Sequence, residues 1–224
     1  MVERLVDWQF FAGVVDVEVT LVDTDEASVE RARQRLAGLD LRAEAVVGDA
    51  LAIDGGPWDL LVACAFLDLF YLLTSLPHLV GLVRAGGLLW LPLCYDGETA
   101  FEPVPDPVVE AEVLARYHRS MDERRVDGRP SGDSHTGRHL PASLRAAGLD
   151  VLAMGSSDWV VLPGPDGYPG DEAYVLHCIL DLVGDAAGEE AQMVTWCAAR
   201  HAAVERSELL YLAHQLDALA RVPR

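Results

Sequence analysis

The sequence predicts an α/β fold: a Rossmann-like, doubly wound, mostly parallel sheet with extra helices near the C-terminus. Two observations predict it. Short apolar runs, VDVEVTLV, AEAVV, WDLLVAC and LLWLPLC, alternate with segments of helical period. Acidic or glycine-containing turns separate them at Asp23-Thr24-Asp25, Gly48-Asp49-Ala50 and Ala85-Gly86-Gly87. The later runs are continuously apolar, as strands covered on both faces are.

Residues 2–12 place Leu5, Val6, Trp8 and Phe11 on one helical face, and Gly13 ends the segment. Residues 15–22 alternate and are β-branched, so they read as a strand. Asp25 can cap a helix over 26–37 that turns Val29, Ala32 and Leu36 inward and leaves Arg31 and Arg35 in water. Strands follow over 43–47 and 58–64. A helix over 68–84, broken or restarted at Pro77, leads to a strand over 88–94. Residues 95–107 read as a long polar loop at the C-terminal end of that strand, where open α/β sheets place ligands.

A charged helix is expected over 108–126, a loop over 127–139, a helix over 141–148 and a strand over 149–163 with a bulge near Gly155. A turn-rich stretch and helices over 171–183 and 188–204 come next, and residues 207–224 suit a helix or a strand equally. The expectation is one domain over 1–224, with 108–139 as a lid or substrate insertion and 171–204 as a helical elaboration.

A chain of 224 residues that is 51% hydrophobic can bury a sizeable core. No run reaches the ~20 apolar residues of a membrane helix, because residues 58–73 carry Asp59 and Asp68. The N-terminus has no basic-then-apolar signal pattern, so a cytoplasmic location is expected. Cys64, Cys94, Cys178 and Cys197 form no zinc-type pair and read as free thiols. The net charge of -19 repels a phosphate backbone or an anionic membrane, so the expected partner is a small neutral or cationic molecule. The sequence contains no GxSxG elbow and no GxxxxGK loop.

Asp23, at the end of a strand, has a carboxylate suited to the two hydroxyls of a ribose, and NAD-binding folds use the same position. The order of motifs says more. Asp23, then VVGDA with Asp49, then DLLVACAFLDL, then RAGGLLWLPL resembles motifs two to five of the class I S-adenosylmethionine-dependent methyltransferases. The resemblance covers residues 14–95, and 140–154 match the next unit. It implies S-adenosyl-L-methionine as cofactor, with Asp23 and Thr24 at the ribose, Asp49 at the adenine amino group and an Ala50 N–H on the ring. Ala63, Cys64, Ala65 and Phe66 would line the methionine end. Phe66 and Tyr95 are candidates for an aromatic face against the sulfonium.

Methyl transfer from a sulfonium needs alignment and exclusion of water, with a base where the acceptor must lose a proton. The candidate bases are Asp68, Asp96, Glu98 and His118, with His135 and His139 behind them. His135 and His139 have the spacing of a helical metal pair, but Gly137 between them argues for a loop, so no metal site is expected. Ser156-Ser157-Asp158-Trp159 reads as an active-site rim or as a bulged strand edge with Trp159 packed.

In the resembled family a glycine-rich loop follows the first, central strand and opens the helix read here over 2–12. Residues 1–224 hold no such loop. The expectation is that the strand and loop lie upstream of Met1, encoded in frame. Two alternatives stay open: a non-catalytic partner subunit, whose exposed sheet edge a second copy or another chain covers, and a Rossmann protein of the NAD type.

Overall fold

The computed structural model describes residues 2–7, 12–14, 16–39 and 41–224. They form two compact units, Met1–Gly55 and Gly56–Arg224, each taken by itself below. Among the described residues no helix is long and apolar enough to cross a membrane.

In the first unit, helix α1 spans Val2–Asp7; residues 8–11 of the expected helix, with Trp8 and Phe11, lie outside the described residues, and Ala12 is in a turn. Strand β1 (Glu18–Asp23) pairs in parallel with β2 (Arg42–Val47), and helix α2 (Glu26–Leu36) crosses between them. Asp25 caps α2 as expected, its carboxylate accepting the Ser28 N–H at 2.8 Å. Val29 and Leu36 are the buried face of α2, while Arg31 and Arg35 stay exposed.

The second unit is built on a five-stranded sheet in the order β3-β4-β9-β7, with β8 also paired to β9. The strands are β3 (Trp58–Val62), β4 (Val83–Glu102), β7 (Asp150–Ser156), β8 (Trp159–Val161) and β9 (Leu210–Arg221). β3 and β4 are parallel, and β9 is antiparallel to β4, β7 and β8. Four of these strands therefore share one direction and β9 alone is reversed, which makes the sheet mostly parallel.

Several expectations need correction. The stretch after β3 is a short 3-10 turn at Leu67–Leu69 and then α3 (Leu72–Gly81), which accommodates Pro77 inside it rather than breaking there. Residues 95–102 are not a loop: β4 runs on to Glu102 because β9 offers a partner as far as Leu210. Only 103–106 connect it to α4 (Pro107–Asp122). The expected loop 127–139 contains the end of a small hairpin, β5 (Arg125–Val126) with β6 (Arg129–Pro130), and the start of α5 (Thr136–Ala146). The irregularity in β7 falls between Val151 and Ala153 rather than at Gly155. Residues 210–221, ambiguous in period, are strand.

Helices α6 (Glu172–Ala187) and α7 (Ala191–Glu205) join α4 over the far half of the sheet. Phe101, Val113, Leu176, Leu180, Trp196 and Tyr211 are the centre of that core. Inside it Arg200 pairs with Glu110, donates to the Pro103 carbonyl, and lies 5.9 Å from the Phe101 ring centroid. The Trp196 Nε1–H donates to the same Glu110 carboxylate at 2.6 Å. Both charges are almost wholly excluded from water, so each depends on the other. Glu110→Ala, which strands the Arg200 guanidinium, should cost about 3 to 5 kcal/mol in denaturant unfolding of the second unit; a loss below roughly 1 kcal/mol would show that the pair is not the tie it is taken to be here.

Candidate functional site

In the first unit, β1 and β2 end level with each other. Asp23 lies opposite Val47, and the Gly48 N–H donates to the Asp23 carbonyl at 2.9 Å. Asp23 and Asp49 thus leave the same ends of two adjacent parallel strands, with both side chains exposed. Asp23 Oδ1 accepts the Asp25 N–H at 2.8 Å, and Asp49 Oδ1 accepts the Leu51 N–H at 2.8 Å. Each exposed carboxylate is oriented by its own turn through its Oδ1. Exposed Thr24 and half-buried Ala50 sit in the same two turns.

In the second unit the chain leaving β3 stays bound to β4 for three more residues. The Ala63 N–H donates to the Trp90 carbonyl and the Ala65 N–H to the Pro92 carbonyl, each at 3.0 Å. Ala65 has φ +48, a left-handed conformation that costs a residue with a Cβ and tends to be kept where the backbone is held for function. Burial pushes the neighbouring Cys64 thiol up, so it is not a thiolate. Half-buried Phe66 packs its ring on Phe70, centroids 4.6 Å apart.

Two bulges in β4 shape what comes next. At the first, the Leu93 N–H turns to Asp217 Oδ1 at 2.9 Å. At the second, between Tyr95 and Thr99, the strand folds Asp96 inward and sets Gly97 at φ +76. A Cβ on Gly97 would come within 2.6 Å of His135 Nε2, so only glycine lets that imidazole lie on the strand. Gly137 meets β4 as closely: its Cβ would stand 3.0 Å from the Cys94 carbonyl.

The result is a polar cluster. The Tyr95 hydroxyl is 2.8 Å from His118 Nε2 and 2.7 Å from Thr99 Oγ1. The rings of His118 and His135 are 6.2 Å apart, and His135 Nδ1 is 2.8 Å from Ser134 Oγ. Burial pushes the His118 imidazole down and the neighbouring His135 adds to it, so His118 is a neutral, proton-accepting base near neutrality. Tyr95 is pushed up, chiefly by burial, and keeps its proton.

Asp68 lies in the 3-10 turn, fastened by the Asp133 N–H to its carbonyl and by Ser131 Oγ to the Leu69 carbonyl. Its Oδ1 is buried with no hydrogen-bond partner among the described residues. Burial pushes its carboxyl up, against smaller opposing effects from its own N–H and from Arg124. Its charge is felt at Cys94, Tyr95 and Tyr117, so it belongs to the same neighbourhood.

The other candidate bases are placed differently. Asp96 is buried and clamped by Arg138, through its N–H at 2.6 Å and its Nε at 3.0 Å, so its lone pairs are spent on holding α5 to β4. Exposed Glu98 lies 3.9 Å from the same guanidinium. His139 is on α5 rather than in a loop, with Nδ1 2.6 Å from Asp133 Oδ2. Among the described residues no three His, Cys, Asp or Glu side chains converge to hold a metal ion. The Ser157 hydroxyl donates to Asp217, Asp158 pairs with His214, and Trp159 packs edge-on to Tyr211. That stretch is a break between two strands with its aromatic ring in the core.

The strand order defines an α/β protein, and comparison with solved structures narrows the fold. The chain superposes on a candidate methyltransferase of Bacillus halodurans C-125 with a TM-score of 0.55 and 12% identity, over 99% of this chain and 100% of that one. It superposes on an S-adenosylmethionine-dependent methyltransferase of Methanosarcina mazei with a TM-score of 0.51 and 12% identity, over 92% and 82%. The fold is that of the class I S-adenosylmethionine-dependent methyltransferases. No protein-family model and no curated protein matches the sequence.

Asp68 carries a stability prediction. Its folded carboxyl is raised, so the folded chain resists its ionisation and the cost grows as pH rises from the ordinary carboxylate range through the raised value. Asp68→Asn should therefore melt higher than the parent at pH 7 to 8, by roughly 2 to 4 °C for each kcal/mol relieved. The gain should vanish below about pH 4, where both states are protonated. A variant that melts lower at neutral pH would mean that Asp68 is a structural acceptor.

Proposed function

We propose that this chain binds S-adenosyl-L-methionine and transfers its methyl group to a small-molecule acceptor. The observation that carries the reading is the pair of acid-ended parallel strands, Asp23 beside Asp49, in a chain whose fold is that of the methyltransferases. The residues fit the cofactor's chemistry. Asp23 offers an exposed carboxylate to a vicinal diol, Asp49 offers one to an exocyclic amine, and the Ala50 N–H is spent on no partner among the described residues. In the second unit, the segment Ala63 to Phe66 is fixed to β4 by two backbone N–H bonds, from Ala63 and Ala65.

When bound, the cofactor supplies a methyl group already activated by the adjacent sulfonium. The chain's own residues hold, orient and deprotonate. Asp68 accepts the acceptor's proton, because its buried oxygen is uncommitted and its raised carboxyl favours taking one up. Tyr95, held by His118 and Thr99, orients the acceptor by packing against it. The net charge of -19 favours a neutral or cationic acceptor.

Calorimetric titration of S-adenosylhomocysteine tests the cofactor. Heat is expected, with affinity at least about tenfold weaker in Asp23→Ala, the loss of a charge-assisted hydrogen bond, and none is expected with NAD. Equal affinity in the variant would remove Asp23 from the ribose. Silence with S-adenosylhomocysteine would favour the non-catalytic partner reading, and heat with NAD alone the dehydrogenase-type one.

Turnover tests the base. A product screen reading a mass increase of one methyl group would identify acceptors, and for any acceptor found Asp68→Asn should lower kcat by about 10²- to 10⁴-fold. In the parent, kcat should fall as pH drops through the raised Asp68 carboxyl, and the variant should lose that limb. An unchanged acid limb in the variant would shift the role to His118.

A further inference from the structure

Outside this cluster, four titratable side chains form a line across α6 and α7. His177 Nδ1 and His201 Nδ1 are 2.7 Å apart. Their outer nitrogens face carboxylates: His177 Nε2 is 3.1 Å from Glu205, and His201 Nε2 is 3.2 Å from Asp181. The ring planes differ by 6° and the centroids are 5.0 Å apart. That separation is the nitrogen-to-nitrogen distance plus a ring radius at each end. Only rings lying edge to edge in one plane reach it, so these rings share a plane rather than stack face to face. Both lone-pair directions therefore lie along the contact.

Counting protons gives the consequence. The line has three contacts, and each needs one proton to be attractive. Two neutral imidazoles carry two protons, and both carboxylates lie mostly in water, where carboxylates carry none near neutrality. With two protons, one contact sets a lone pair against another lone pair or against a carboxylate. With three, every contact is a hydrogen bond and the pair carries a single positive charge between two negative ones. With four, both Nδ1 atoms carry protons and face each other.

We propose that His177 and His201 share one proton as a singly charged pair that staples α6 to α7, and that the staple weakens when this proton is lost and when a second is added. The other titratable groups nearby do not compete for it. Asp185 and Cys197 lie a turn away, Cys178 pairs with Tyr174, and from α4, Glu110 pairs with Arg200 and Arg116 with Glu190. Gly184 lets the helices approach this closely, since a Cβ there would come within 2.8 Å of Cys197 Sγ. α6 also packs on α4, the helix that carries His118, so the staple sits one helix from the polar cluster. The linear arrangement suits a proton better than a metal ion, whose ligands must converge.

Thermal unfolding as a function of pH tests the proposal. The melting temperature of the parent minus that of His177→Gln should pass through a maximum and fall on both sides, with an amplitude of about 2 to 4 °C. Glu205→Gln should move both sides of that maximum to lower pH, because the carboxylate it removes favours the third proton and the fourth alike. In the parent, proton NMR should show one strongly deshielded imidazole proton, a readout that needs no variant, and the resonance should be absent in folded His177→Gln and His201→Gln. A pH-independent melting difference together with no such resonance would overturn the proposal. So would a rise in the parent's melting temperature on adding zinc chloride that His177→Gln abolishes, which would make the pair a metal site.

Discussion

The second unit depends on β9 lying reversed between β4 and β7. It gives β4 a partner from Leu88 to Glu102, β7 one from Asp150 to Ser156, and β8 one from Trp159 to Val161. One strand thereby satisfies the backbone of three others, and an unpaired buried strand would be costly. The pairing is imperfect in a useful way. β4 has more residues than β9 over the same length, and the surplus leaves as two bulges, opposite Asp217 and His214. The first bulge is held by the Asp217 carboxylate, which also takes the Ser157 hydroxyl. The second turns Asp96 inward and opens, at Gly97, the space that His135 fills. The cluster of Tyr95, His118 and His135 is thus a product of register.

Around that cluster the charges fall into two kinds. Asp96 is matched by Arg138, and Asp217 by an N–H and a hydroxyl. These groups set the backbone and are spent in doing so. Asp68 differs: its turn is firmly held, by Ser131 and the Asp133 N–H, while its own buried oxygen is left without a partner. A rigid frame around an unsatisfied acid is what a chain keeps when a group serves something other than stability.

How much of this was legible in the sequence follows from how local each feature is. The α2 cap is a contact three residues long, and Asp25 makes it as its position suggests. The acid ends of β1 and β2 are also local, each a strand followed by a turn. The continuation of β4 was hidden because Asp96, Gly97 and Glu98 have the composition of a loop, and the strand that makes them sheet begins at Leu210. The start of α5 was hidden by Gly137 and Pro141, residues that weaken a helix, yet Gly137 is required where α5 meets the Cys94 carbonyl. Residues 210–221 fit two periods, and only tertiary pairing selects strand. In the cluster, Asp68 and His118 were visible one at a time as polar residues near strand ends. That His118 binds Tyr95, 23 positions away, depends on a bulge that no periodicity announces.

The same geometry separates the two remaining bases. His118 is neutral, but its Nε2 is engaged by the Tyr95 hydroxyl, and that phenol is pushed up and retains its proton. A proton delivered to His118 from an acceptor would have to displace this bond or enter through the other ring nitrogen, and the nearby His135 imidazole already disfavours positive charge on the ring. Asp68 faces neither obstacle. Its oxygen has no bond to give up, and protonation removes a buried charge instead of creating one. Burial thus favours a proton on Asp68 relative to a carboxylate in water and disfavours one on His118 relative to an imidazole in water, so the proposed methyl transfer assigns the proton to the aspartate and the orienting of the acceptor to the tyrosine–histidine pair.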